Sequence, residues 1–178
     1  DGPEVVRRPV VVLVMVIAAL VLASQATWNG FGSIRLRQLG VPDSLIGIYW
    51  ALATGSEMAM FWAGPLLARR FGPFGVLILA ACGAILRWGA MSTDPGPVAM
   101  IALQMLHALT FSAAHLGVMR FLAVTVTVQR SGSAQATFVT LSSILLGAAT
   151  VAAGPLYHAF GSGAYLWSAA LPVAAVLL

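Results

Sequence analysis

Between its few charged residues the chain is apolar on every side, without the alternation of a half-wet strand or the single stripe of a soluble helix. Val10–Leu22 shows the pattern most plainly, running without one polar side chain. A helix needs roughly 20 such residues to cross about 30 Å of hydrocarbon. Cutting the sequence at its charges and turn signals predicts six spans, at about 9–33, 44–67, 71–92, 96–122, 133–154 and 163–178, the last truncated. The run from Ser131 to Leu178 holds no Asp, Glu, Lys or Arg, and Gly154-Pro155 with Gly161-Ser162-Gly163 supplies the turn that divides it. A β-barrel would show alternating segments of about ten residues, which this pattern lacks. The expected architecture is all-α: residues 1–8 end a cytoplasmic loop, and 9–178 form one polytopic membrane domain. The chain is expected to be a piece of a longer protein.

Composition narrows the function classes. Apolar residues make up 60% of the 178 and charged ones 8%, with a mean hydropathy of +0.96. A soluble domain carries about 25% charged residues, so a soluble enzyme is excluded as a reading. The net charge of +4 comes from nine arginines, scattered and without interleaved aromatics, so no nucleic-acid footprint is present. Cys82 stands alone and frames neither a disulfide nor a metal site. The arginines do orient the chain. With the N-terminus cytoplasmic, inner segments hold Arg7, Arg8, Arg69, Arg70 and Arg130, with Arg120 at a helix end, whereas outer segments hold only Arg35 and Arg37.

Ionisable residues inside a bilayer are costly, by about 2.5–3.5 kcal/mol on insertion scales, and point to function. Glu57 falls near the middle of the second span and Arg87 in the outer half of the third; if those helices are neighbours, the two charges would pair. The bland alternative is a static ion pair that fixes helix packing. The fourth span adds Gln104, His107, Phe111 and His115, whose spacings of three, four and four place them along one face. A polar stripe on a membrane helix must face protein or a wet cavity. Histidine titrates near neutrality, so His107 beside a carboxylate is a candidate proton carrier. For His115 a hydrogen-bonded packing role is the plainer reading. In the first span Gln25 and Asn29 share a face beside Trp28 and Gly30-Phe31-Gly32, and in the second Trp50, Thr54 and Glu57 share another. These groups read either as a ligand site or as interfacial aromatics.

Enzyme chemistry finds no footing. No Gly-x-Ser-Gly lies in a span and no His-Glu-x-x-His occurs, and two histidines eight apart make no metal site. No cofactor is expected.

Particular motifs carry a resemblance. The inner loop Gly64-Pro-Leu-Leu-Ala-Arg69-Arg70-Phe-Gly72-Pro73 is similar to the degenerate second copy of the Gly-x-x-x-Asp-Arg-x-Gly loop of the major facilitator superfamily, with Ala68 at the acid position. Leu39-Gly40-Val41-Pro42-Asp43-Ser44-Leu45-Ile46-Gly47 and Leu106-His107 through Phe111 and His115 to Met119-Arg120-Phe121 resemble the phenylpropionate-permease branch, related to lactose permease and the nucleoside–proton symporters. The resemblance spans essentially the whole chain, as spans seven to twelve of a twelve-span protein. It implies one half of such a transporter, a 3+3 inverted repeat, partnered by a missing N-terminal half. It also implies a bacterial inner-membrane location and alternating access for a small organic solute together with a proton. Lactose permease carries a Glu, an Arg and a His on the spans where Glu57, Arg87 and His107 stand, which implies proton coupling through these three. Its further essential acid, one turn after the His, is Thr110 here, so Glu57 or the other half would have to release the proton. An aromatic carboxylate would be held by Arg87 with Trp28, Trp50 or Phe111 over its ring, whereas a sugar or nucleoside would use Gln25, Asn29 and Gln104. A non-transporting six-span scaffold or subunit is the competing class.

Overall fold

The computed structural model describes residues 9–178, and the expectation for residues 1–8 lies outside them. All the regular elements described are helical. Four stretches are long and apolar enough to cross a membrane: Pro9–Gln38, Asp43–Ser92, Pro97–Thr125 and Val128–Leu177. They comprise α1 (Pro9–Ala23), α2 (Ala26–Gln38), α3 (Asp43–Ser92), α4 (Pro97–Met105), a π-helical turn (Ala108–Ala113), α5 (Ala114–Thr125), α6 (Val128–Phe160) and α7 (Ala164–Leu177).

A straight helix of the 50 residues of α3 would measure about 75 Å, more than twice the hydrocarbon thickness. It is not straight. Gly72 has φ 65° and ψ 176°, which breaks the helix, and the fixed φ of Pro73 starts the next. Neighbours reveal the direction on each side. Before the break, Glu57 meets His107 and Gly64 faces Leu116. After it, Leu77 packs on Gly117 and Gly83 on Leu109. Residues 43–71 therefore run parallel to the α4–α5 stretch and 73–92 antiparallel to it, so the chain turns back at Gly72. The contact is close enough to require glycine: a Cβ on Gly83 would sit 2.8 Å from that of Leu109, and one on Gly117 2.8 Å from Leu77 Cγ.

A second break comes at Gly161, with φ 54°. The expected turn began at Gly154-Pro155, yet α6 continues through both to Phe160. Proline here costs one backbone bond and bends rather than ends the helix. The third irregularity separates α1 from α2. Ser24 and Gln25 interrupt the helix, where Gln25 N–H bonds to Leu22 O, one residue tighter than the α pattern. Gly32 admits the Trp28 ring, a close approach that only a glycine allows there.

The core gathers Met15, Trp28, Leu36, Trp88, Leu122 and Phe138 with the small residues of α1 and α3. Trp88 stacks on Tyr165 of α7 at 6.1 Å and donates its indole N–H to Ser24 Oγ at 2.8 Å. Outward faces stay apolar. Only 11% of the most apolar stretch of Val128–Leu177 is buried, and Trp62 is 90% exposed. Such a surface suits lipid or another apolar protein face, not water.

Candidate functional site

Arg87 is the centre of the polar interior, and it is fully buried. The two hydrogens of its Nη1 are shared among Gln25 Oε1 at 3.1 Å, Thr110 Oγ1 at 3.0 Å and His107 Nδ1 at 2.9 Å. Its Nη2 donates to Gln104 Oε1 at 3.1 Å. Gln25 Nε2 closes a ring by donating to Thr110 Oγ1 at 2.9 Å, and Thr110 Oγ1 donates onward to His107 O at 3.2 Å. A guanidinium can only donate, so His107 Nδ1 must accept. The imidazole proton then sits on Nε2, which lies 2.5 Å from Glu57 Oε1.

This geometry corrects the expected Glu57–Arg87 pair. Among the described residues Glu57 makes no direct contact with Arg87; His107 stands between them as a bridge. The cause lies in the reversal at Gly72. Residues 43–71 and 73–92 flank the fourth span on its two sides, so each charge reaches the same imidazole from an opposite direction. Buried charges are normally paired and hydrogen-bonded. Here the pairing is relayed through one neutral ring.

Both helices that supply neutral partners are irregular at the site. The α1–α2 interruption ends at Gln25, and the π-helical turn begins directly after His107 and contains Thr110 and Phe111. Extra-residue turns of this kind are rare and concentrate at functional positions. The turn keeps His107, Phe111 and His115 in one ladder: centroids of successive rings are 5.7 and 6.5 Å apart, at 13° and 11°. Phe138 of α6 tilts onto His115 at 6.3 Å, and Phe61 of α3 meets it edge-on at the same separation.

A cavity of about 240 Å³ opens along this ladder. Gln25, Asn29, His107, Phe111 and His115 line one side of it, and Phe138, Ser142 and Ser143 the other. The wall from α6 was not anticipated. Its signal was available, since Ser142-Ser143 is a polar pair inside an uncharged run, one turn beyond a phenylalanine.

The remaining expected residues lie elsewhere. Trp28 is 1% exposed, packs against Gly32 and stands 5.5 Å from Trp50, outside the cavity. Trp50 is half-buried and donates its indole N–H to Ser33 Oγ at 3.1 Å. Thr54 is exposed and bonds back to the carbonyl of Trp50 at 3.2 Å. Gln104 is buried behind Arg87.

The model of the MFS_1-like family matches residues 1–168. The chain belongs to that family, within the major facilitator superfamily. It is also 31% identical over 160 residues to the "Probable 3-phenylpropionic acid transporter" of Escherichia coli (strain K12). That alignment covers 85% of this chain and 40% of the relative, so the chain spans less than half the length of the curated protein it matches. No solved structure gives a significant match. With this membership go four helical stretches long and apolar enough to cross a membrane.

Proposed function

We propose that the chain forms a six-span half of a twelve-span secondary transporter that carries an aromatic carboxylate with a proton. The observation that carries this reading is the chain Arg87–His107–Glu57 beside an aromatic-lined cavity. The chain reversal at Gly72 supports six crossings, because it divides the 50-residue apolar stretch Asp43–Ser92 into two lengths that each span a bilayer, and the break at Gly161 divides Val128–Leu177 into α6 and the shorter α7. The exposed apolar faces of residues 43–71 and of α6 suit a second half, with alternating access arising as the two halves rock about a midplane site.

In this reading Glu57 takes up the proton and His107 passes the charge change to Arg87. The substrate ring lies against Phe111, His115 and Phe138, with its carboxylate towards Asn29 and His107. Arg87 acts through its partners, since Gln25, Gln104, His107 and Thr110 already occupy both of its terminal nitrogens. Two of the three amides that a sugar or nucleoside would use, Gln25 and Gln104, are engaged by Arg87. That favours the carboxylate.

The test is uptake of labelled 3-phenylpropionate by vesicles holding the complete protein, with and without an inward proton gradient. Gradient-driven accumulation is expected. None, from folded and inserted protein, would remove the substrate class and return the sugar, nucleoside and scaffold readings.

A further inference from the structure

We infer that the cavity selects arylpropionates with a hydroxyl on the ring, and that His115 is the residue that recognises the hydroxyl. The inference rests on the proposed carriage of an aromatic carboxylate and names the kind of ring the same site takes. The ladder along the fourth span differs at its two ends. His107 is engaged at both ring nitrogens, by Arg87 at Nδ1 and by Glu57 at Nε2. His115 lines the cavity half-buried, and its neighbours are the rings of Phe61, Phe111 and Phe138. Among the described residues it has no hydrogen-bond partner, so the packing role expected for it lacks its bond.

Packing alone does not account for an imidazole here. Phenylalanine would fill the same place in the ladder and stack on Phe111 as well, without bringing into the membrane interior a polar group that needs a partner. A neutral imidazole presents one N–H and one bare nitrogen. An unsubstituted phenyl ring has neither a donor nor a lone pair to offer them. A phenolic hydroxyl serves either nitrogen, because it both donates and accepts. The facing wall repeats the polarity. Ser142 stands one turn along α6 from Phe138, the ring that tilts onto His115. Its hydroxyl donates to Phe138 O at 2.8 Å, so its oxygen still has lone pairs with which to accept.

Length places the hydroxyl at the far end of the ring. His107 and His115 are eight residues apart, about 12 Å along a helix. In an extended 3-(4-hydroxyphenyl)propionate the carboxylate and phenolic oxygens are roughly 9 Å apart, and hydrogen bonds of about 2.8 Å at the two ends cover the remainder. With the carboxylate towards Asn29 and His107, the para hydroxyl reaches His115 while the ring between lies against Phe111 and Phe138.

The experiment measures displacement of labelled 3-phenylpropionate from the complete protein in vesicles by two competitors that differ only at the para position, where one carries methyl and the other hydroxyl. The methyl acid matches the hydroxyl acid in size and cannot hydrogen-bond. The hydroxyl acid is expected to displace the label at about tenfold lower concentration, the effect of one hydrogen bond. Equal displacement by the two, or tighter binding of the methyl acid, would overturn the selection while leaving the substrate reading intact. Absence of any displaceable binding to folded protein would refute the substrate reading and this inference with it. His115→Phe keeps the width of the ladder and removes its polar end, so the preference should fall to about twofold or less. A tenfold preference that survives in this variant would overturn the role of His115. The wild-type ratio decides the selection by itself should the variant not fold.

Discussion

Arg87→Met removes the guanidinium while keeping much of its length and apolar stem. It strips a donor from four groups: Gln25 Oε1, Gln104 Oε1, His107 Nδ1 and Thr110 Oγ1. Polar contacts between membrane helices average about 0.6 kcal/mol, so four are worth about 2.5 kcal/mol. The charge effect is larger. Removing one member of a buried ion pair costs about 3–5 kcal/mol, because the other is left uncompensated. The relay through His107 predicts that Glu57 feels this loss although no atom of it touches Arg87. The decisive comparison is a double-mutant cycle of Arg87→Met and Glu57→Gln, read as unfolding in mixed micelles by tryptophan fluorescence. Trp28 and Trp88 are buried and will report the transition. The double variant should be more stable than additivity allows by about 1.5 kcal/mol or more, since neither charge is then left alone. Additivity within about 0.5 kcal/mol would refute an electrical link through the imidazole.

Three further perturbations probe the surroundings of the site. Gly83→Val drives side-chain atoms into Leu109 at a 2.8 Å approach and should lower stability by about 1–3 kcal/mol, whereas Gly55→Ala, with open space around it, should leave the unfolding midpoint unchanged. Ser24→Ala removes the acceptor of the buried Trp88 indole N–H and should cost about 1–3 kcal/mol, with a shift in tryptophan emission as its signature. Phe138→Ala opens the wall facing His115 and should raise KM for an aromatic acid more than for a small aliphatic one. Equal effects on both would remove Phe138 from the substrate's path.

The membrane character was legible in the sequence because it needs only length and hydropathy, and the uncharged run Val10–Leu22 carries both. The alignment of His107, Phe111 and His115 was legible for a similar reason, as spacings of four stack side chains on any helix. The relay was not. Glu57 and Arg87 lie on the two arms of α3, and which residue stands between them depends on where the fourth span is inserted, a tertiary fact with no local signature. The cavity wall from α6 left a partial trace, the polar pair Ser142-Ser143 in an uncharged run, but which face of α6 meets α1 depends on packing. The break at Gly161 falls within the expected Gly161-Ser162-Gly163, whereas α6 runs on through Gly154-Pro155, because glycine and proline mark only where a helix is able to bend. Packing chooses among those places, and Ser24-Gln25 bends where neither residue type occurs.

The resemblance led to Thr110 as a position without its acid, and geometry gives that residue different work. Its hydroxyl accepts from both Arg87 and Gln25. A carboxylate there would give Arg87 a direct counter-ion and short-circuit the relay to Glu57.

The central claim is that Glu57 carries the coupled proton, and the most direct test compares two assays on Glu57→Gln in vesicles holding the complete protein. Proton-driven accumulation of 3-phenylpropionate should vanish, while exchange of labelled for unlabelled substrate at equal concentrations persists. Accumulation that survives the substitution would contradict the claim. Loss of exchange together with accumulation, from protein that remains folded, would contradict it too.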